Sequence, residues 1–358
     1  MKYLGVVYDV GLRFTDEGTS VEPFDRALVE YDMRAIANDL HANAVRIEGE
    51  EIERLVIASR AARENGLAIF FNPWKMNVGA EATRAYLAEA AVAAEQLRSE
   101  GADIVFVTGC EYTIFCDGIF PGSSWAERGA WLGAQLGGAH LPNSAAELPP
   151  TLAEKAVELN KVLSSLAATV RASFHGPLTY SAGTWEGVDW SIFDIVGLDY
   201  YRRGQAAEDY ISDLESHRCE GKPLGVLEVG CCTYEGAAAQ GDGGFVVMEG
   251  VNPDGTGIWA GGVAPTRSEQ EQADYVGTQL DLLAGADVDA VFVFVFSFPA
   301  YRTGEGAKDL DMASYALVKT FADDDPRSRE MPPWEPKEAF HRAAEFFRDH
   351  AAAVPSAR

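Results

Sequence analysis

The sequence predicts an α/β chain closed into a single (β/α)8 TIM barrel, and three observations predict it. Short apolar or β-branched runs alternate with longer helical patterns along the 358 residues. Eight such runs occur, several apolar nearly throughout, as expected of parallel strands buried on both faces. The segments after the fourth, seventh and eighth runs are long and rich in Gly, Pro and aromatics. They fall where the C-terminal mouth of a barrel would lie. Strand–helix alternation implies parallel pairing through right-handed crossovers, and eight strands imply closure rather than an open sheet.

Taken in order, strand Leu4–Asp9 precedes helix Asp32–Ala42, and strand Ala44–Ile47 precedes helix Glu50–Asn65. Strand Ala68–Asn72 leads to helix Glu81–Ser99 and strand Ile104–Thr108. The loop over 109–150 holds Phe120-Pro121-Gly122 and Gly137-Gly138, and helix Thr151–Ala172 follows. Next come strands Leu178–Ser181 and Ile195–Asp199, helix Ala206–Glu220 and strand Leu224–Glu228. The loop over 229–266 carries Gly241-Asp242-Gly243-Gly244 and Asn252-Pro253-Asp254-Gly255. Helix Ser268–Ala284, strand Ala290–Phe296, a third loop over 297–334 and helix Pro336–His350 complete the pattern. Residues 1–350 are expected to form one barrel domain, with an alanine-rich tail at 351–358 that frays.

Acidic residues outnumber basic ones 55 to 29, for a net charge of −26. So negative a surface repels phosphate backbones and anionic lipid, which argues against nucleic-acid and membrane partners and leaves a small molecule. The run from Lys2 to Val10 is too short for a signal peptide and has no cleavage site behind it. Five cysteines without framework spacing fit reduced thiols, so a cytoplasmic setting is expected.

Two glutamates carry the chemical expectation. Strand four runs Val105-Phe106-Val107-Thr108-Gly109-Cys110-Glu111, and strand seven ends Leu227-Glu228. Both close apolar runs and should project at the mouth from different strands. Two facing carboxyls suit glycosidic cleavage, one protonating the leaving oxygen while the other attacks the anomeric carbon. The bland alternative pairs one or both with Arg46 or uses them as helix caps. Glu111 lies beside Cys110, Ile114 and Phe115, the more apolar neighbourhood, which suits an acid of raised pKa. Aromatics crowd the predicted mouth, with Trp74 and Tyr201 at strand ends the leading candidates for a sugar platform. No cofactor or metal is expected: Cys110, Cys116, Cys231 and Cys232 match no zinc spacing, and strand one lacks a His-x-His pair. Lys75 follows strand three, but nothing else supports Schiff-base chemistry.

Glutamates ending strands four and seven resemble the signature of the clan A glycoside hydrolases, retaining (β/α)8 enzymes. The resemblance implies Glu111 as acid/base and Glu228 as nucleophile. Ala44-Val45-Arg46-Ile47 looks like that clan's strand-two arginine, which implies that Arg46 supports the nucleophile. Trp185-Glu186-Gly187 and Asp199-Tyr200-Tyr201 resemble its strand-six region, whose tyrosine touches the nucleophile. Arg46, Trp74, Tyr112, Trp185, Tyr200, Tyr201 and Tyr234 are therefore the expected substrate-binding set. Gly109-Cys110-Glu111, Thr184 to Trp190, Gly230 to Gly236 and Trp334-Glu335-Pro336-Lys337 also resemble uncharacterised actinobacterial barrels labelled abortive phage infection proteins. Two departures stand out. Cys110 occupies the position where many clan members place Asn, the ligand of the sugar 2-hydroxyl. Strand eight gives Phe294-Val295-Phe296-Ser297-Phe298 where a sugar-stacking Trp is usual.

The expected activity is retaining hydrolysis of a small glycoside or oligosaccharide. Two alternatives stay open: a repurposed cyclase, lyase or hydrolase of a small metabolite using the same carboxylates, and a non-catalytic binding or phage-response protein.

Overall fold

A computed structural model describes residues 1–14, 18–137 and 148–351. Gly138, His140 and nearly all of the expected frayed tail lie outside the described residues. The elements in chain order are β1 (Tyr3–Asp9), α1 (Arg26–Asn38), β2 (Ala44–Gly49), α2 (Ile52–Glu64), β3 (Ala68–Pro73) and α3 (Ala80–Ser99). Then come β4 (Ile104–Cys110), α4 (Tyr112–Phe115), α5 (Trp125–Leu136), α6 (Pro150–Arg171), β5 (Leu178–Gly183), β6 (Val196–Asp199), α7 (Ala207–Ser216) and β7 (Leu224–Val229). A hairpin of β8 (Met248–Val251) and β9 (Gly257–Trp259) precedes α8 (Glu269–Gly285) and β10 (Ala290–Val293). The chain ends with the pair β11 (Val318–Thr320) and β12 (Trp334–Pro336), then α9 (Glu338–Ala351).

Strands β1 to β7 and β10 form one closed, all-parallel barrel in which β1 pairs with both β2 and β10. The predicted (β/α)8 barrel is therefore the observed fold. Alternate residues along each strand go to two separate cores. Tyr3, Val7, Phe70, Val105, Phe292 and Leu227 fill the barrel interior. Leu4, Val6, Ile69, Phe71, Ile104 and Phe106 face the helices. Room for the interior aromatics comes from Gly5, where a Cβ would lie 2.5 Å from the Ala44 carbonyl oxygen and 2.8 Å from the Phe292 ring.

Boundaries differ from expectation where local hydrogen bonds outrank periodicity. Helix α1 starts six residues before the predicted Asp32, because the Asp25 side chain accepts from the Ala27 N–H and caps it. The short helix α4 and the helix α5, capped by Ser124, were not predicted. Strand β10 ends at Val293 rather than Phe296, yet Phe294 N–H still donates to Val229 and Phe296 N–H to Val7.

Two buried polar clusters tie the C-terminal segment to the barrel. Asp32 accepts from the Tyr8 hydroxyl and the Trp334 indole, each at 2.8 Å, joining β1, α1 and β12. Lys337 is fully buried, 2.8 Å from Thr233 Oγ1 and 3.2 Å from Asp311. The second cluster accounts for the Thr233 and Lys337 motifs: they meet in space and hold the loop after β7 to the start of α9.

Burial pushes the Asp32 carboxyl up to about 7, against hydrogen bonds that oppose the shift. A carboxyl raised on folding binds more protons in the native state between its two pKa values, so stability falls as pH rises from about 4 to about 7. Asp32→Asn is expected to flatten that slope, by up to about 4 kcal/mol over the window. Urea denaturation at several pH values measures it, and an unchanged slope would exclude Asp32 as its source.

Candidate active site

The interior layer nearest the mouth is polar. Alternation brings Arg46 and Glu48 inward from β2, Asn72 from β3, Ser181 from β5 and Asp199 from β6. Glu228 and Cys110 reach the same layer only because their strands are bulged. On β7, Val226 pairs with Leu198 but the next pair is Glu228 with Asp199, so Leu227 is skipped. On β4, Val107 pairs with Thr179 and the next pair is Cys110 with Ser181, leaving Thr108 and Gly109 between them. Gly109 takes φ 119°, a conformation glycine adopts without strain. Bulges re-aim side chains in this way, and here each stands just before one of the two glutamates.

Arg46 organises the cluster. Its fully buried guanidinium donates through Nε to Asn72 Oδ1 at 2.9 Å and through Nη1 to Glu228 Oε1 at 2.9 Å and to the Leu227 carbonyl at 3.1 Å. Nη2 meets Glu48 at 3.2 Å, and Nη1 lies 3.7 Å from Asp199. The other oxygen of Glu228 accepts from the Tyr201 hydroxyl at 2.9 Å. Both Glu228 oxygens are thus engaged by donors, one of them a cation, while a tenth of the side chain stays open to the mouth.

Glu111 is set differently. It sits in the left-handed region at φ 39° and ψ 51°, a strained conformation for a residue with a Cβ. Its N–H donates to the Ser181 carbonyl, and its own carbonyl accepts from Ile114 and Phe115. Its carboxylate accepts no hydrogen bond among the described residues. Burial, then the charges of Asp199, Glu228, Glu186 and Asp242, push that carboxyl well above the usual range.

A second polar network braces the turn at Glu111. The Tyr112 N–H donates to the Tyr180 hydroxyl at 2.6 Å, which donates to Glu186 Oε2 at 2.8 Å. Glu186 Oε1 accepts from the N–H and hydroxyl of Thr113, and Trp185 Nε1 donates to that hydroxyl at 3.0 Å. Burial raises Glu186 to about 7. From α5, buried Arg128 reaches the Ile114 carbonyl and Asp117, pinning the far side of the same loop.

Of the expected residues, Arg46, Glu228 and Tyr201 are in direct contact, and Glu111 lies within electrostatic reach of Glu228. Trp74 packs with Leu12, Met76 and Cys110, and its ring centroid lies 5.1 Å from that of Phe115. The others serve elsewhere. Tyr112 is buried beside Thr83 and Cys116. Tyr200 exchanges hydrogen bonds with Tyr210 on α7, because strand alternation turns it outward between Asp199 and Tyr201. Trp185 belongs to the brace, and Tyr234 bonds the Gly244 carbonyl within its own loop.

Sequence reasoning missed Asp199, Glu48, Asn72, Ser181 and Glu186. Alternation through Ser181 and through Asp199-Tyr200-Tyr201 was the available signal. Asp199 is fully enclosed, accepts from the Ser181 hydroxyl and lies 3.5 Å from Cys110 Sγ. Among the described residues, Cys110, Asp199 and Glu228 bring potential ligand atoms within 4.8 Å of one another. They do not fit a resident metal, since Arg46 already supplies a cation 2.9 Å from Glu228 and would repel a second.

No protein-family model matches this sequence, and no curated protein matches it. Solved structures do. A complex of a GH113 β-1,4-mannanase aligns over 97% of this chain and 99% of its own, at 14% identity and TM-score 0.60. A GH113 β-mannanase from Alicyclobacillus acidocaldarius aligns over 98% of both chains, at 16% identity and TM-score 0.54. A GH5_18 structure from Streptomyces cattleya in complex with GlcNAc covers all of this chain and 83% of its own, at 12% identity and TM-score 0.54. The likeness to abortive phage infection proteins finds no support among these structures. At such identities the similarity establishes the fold alone, a closed (β/α)8 barrel that these structures share over 97% or more of this chain.

Proposed function

We propose that the protein is a retaining glycoside hydrolase in which Glu228 is the nucleophile and Glu111 the acid/base. One observation carries this reading: the two carboxyls at the mouth have opposite surroundings. Glu228 is met by a guanidinium and a tyrosine hydroxyl. Glu111 has no donor among the described residues, and its surroundings favour the proton. That asymmetry matches the division of labour in double displacement.

In the first step a Glu228 oxygen attacks the anomeric carbon as the glycosidic C–O bond breaks, and the Glu111 proton passes to the departing oxygen. In the second, Glu111 takes a proton from water, whose oxygen attacks the same carbon and releases Glu228. Cys110 bears on the substrate. Its thiol faces Asp199 and Glu228 rather than the open mouth, which disfavours a polysaccharide mode relying on a polar ligand there. A small glycoside or oligosaccharide suits the site better. A cytoplasmic setting is consistent with five unpaired thiols. Because the similar barrels include β-1,4-mannanases, β-mannosides head the set of probes.

The test is a panel of 2-deoxy-2-fluoro glycosides with good leaving groups, read by intact mass. One added glycosyl unit is expected, and none in Glu228→Gln. Label surviving that substitution, or no label from any sugar, would overturn the reading. With the reactive sugar in hand, Glu111→Gln is expected to slow glycosides of poor leaving groups by about 10²–10⁴-fold. The burst with a dinitrophenyl leaving group should be nearly unchanged, because that oxygen departs without protonation.

A further inference from the structure

Three buried carboxyls, from Glu48, Asp199 and Glu228, surround the single guanidinium of Arg46. Were all three ionised, one cation would face three anions in an enclosed space, and at least one proton must relieve the excess. For the two carboxyls that share the Cys110 thiol, the geometry indicates which one holds a proton. Glu228 has Arg46 on one oxygen and Tyr201 on the other, both donors. Asp199 Oδ1 takes the Ser181 hydroxyl and has Arg46 at 3.7 Å, and among the described residues its Oδ2 meets just the Cys110 sulfur, at 3.5 Å. The same sulfur lies 3.6 Å from Glu228 Oε1. A thiol has one proton, so it can serve one carboxylate at a time.

We propose that Asp199 is a positioning residue that carries the proton while Glu228 carries the charge, with the Cys110 thiol as the pointer between them. Neutral Asp199 donates its O–H to the sulfur and turns the S–H toward Glu228 Oε1. Ionised Asp199 captures the S–H for itself and leaves Glu228 facing a second anion. Its side chain is fully enclosed, so it acts through Cys110 and Arg46 and never touches a sugar. The groups facing this set are Arg46 and Glu48 from β2, Asp9 beyond Glu48, Cys110 from β4 and Glu111 just after it, Tyr201 and Glu228. Burial and then the charge of Glu228 raise the Asp199 carboxyl, in agreement with this assignment. The role of Asp199 in catalysis rests on Glu228 being the nucleophile; the proton arrangement does not.

The experiment uses the full chain and no substrate. Carbon-13 carboxyl NMR follows Asp199 and Glu228 through pH, with Asp199→Asn and Glu228→Gln for assignment. Infrared spectroscopy follows the S–H stretch of Cys110, identified by its loss in Cys110→Ala. The Asp199 carboxyl is expected to keep its proton well above the pH range usual for an aspartate. In Glu228→Gln the Asp199 midpoint should fall by about one pH unit or more, since one unit is the effect of a modest neighbouring charge. The wild-type S–H band should shift as Asp199 ionises. In Asp199→Asn it should stay fixed, because the amide N–H mimics the protonated acid. Asp199 ionising within the usual aspartate range, or an S–H band moving alike in wild type and Asp199→Asn, would overturn the proposal. Failure of glycoside labelling with these Asp199 and S–H results intact would instead remove the glycosidic reading alone.

Discussion

Glu228→Gln is expected to reduce glycoside turnover by on the order of 10⁴-fold or more, the scale on which loss of a nucleophile acts. The amide keeps the size of the carboxylate and can still accept from Arg46 or Tyr201, so the barrel should fold. It removes the negative charge and the oxygen proposed to attack. Asp199, with a carboxyl oxygen within 4.8 Å of one of Glu228, is fully enclosed and cannot reach an anomeric carbon in the mouth. Steady-state kinetics on the sugar identified by labelling, with a thermal melt of both proteins, separates chemistry from folding. Activity within tenfold of wild type would remove Glu228 from the mechanism.

Arg46→Met carries the largest expected cost in stability. The side chain is fully buried, and its guanidinium compensates Glu48, Asp199 and Glu228 together. Removing one partner of a buried ion cluster strands the others, which costs roughly 3–5 kcal/mol. The sign with pH follows from the carboxyls. Burial already raises Glu48 and Asp199, and losing the guanidinium raises them further. The variant should therefore recover stability relative to wild type as pH falls and those groups take up protons. Urea denaturation near neutrality and near pH 5 compares the two; a deficit independent of pH would point to lost packing rather than lost charge.

The barrel was legible because its strands are buried on both faces, and such strands read as continuous apolar runs. The two glutamates were legible as the first charged residues after those runs. What turns Glu228 inward was not, because skipping Leu227 is a property of pairing with β6 and leaves no mark on composition. Gly109 was the one visible trace of the matching bulge on β4. The split of the aromatic set was hidden for a related reason: sequence places Tyr200 and Tyr201 side by side, while a strand sends them to opposite faces. Asp199 was hidden by being taken as the end of a strand rather than as a side chain with a direction. Glu186 and Arg128 act through contacts with Thr113, Tyr180 and the Ile114 carbonyl that no spacing rule anticipates.

The hydrogen bond between Arg46 and Glu228 joins residues 182 positions apart, and β1 must pair with β10 across nearly the whole chain. The site is therefore among the most non-local parts of the molecule, and loop-closure entropy delays such contacts. A nascent or partly refolded chain can hold most of its helices and several paired strands while these charges still lie apart in water. Recovery of function in a refolding experiment should then track barrel closure rather than the return of helical signal, leaving a helical but inactive species in the interval.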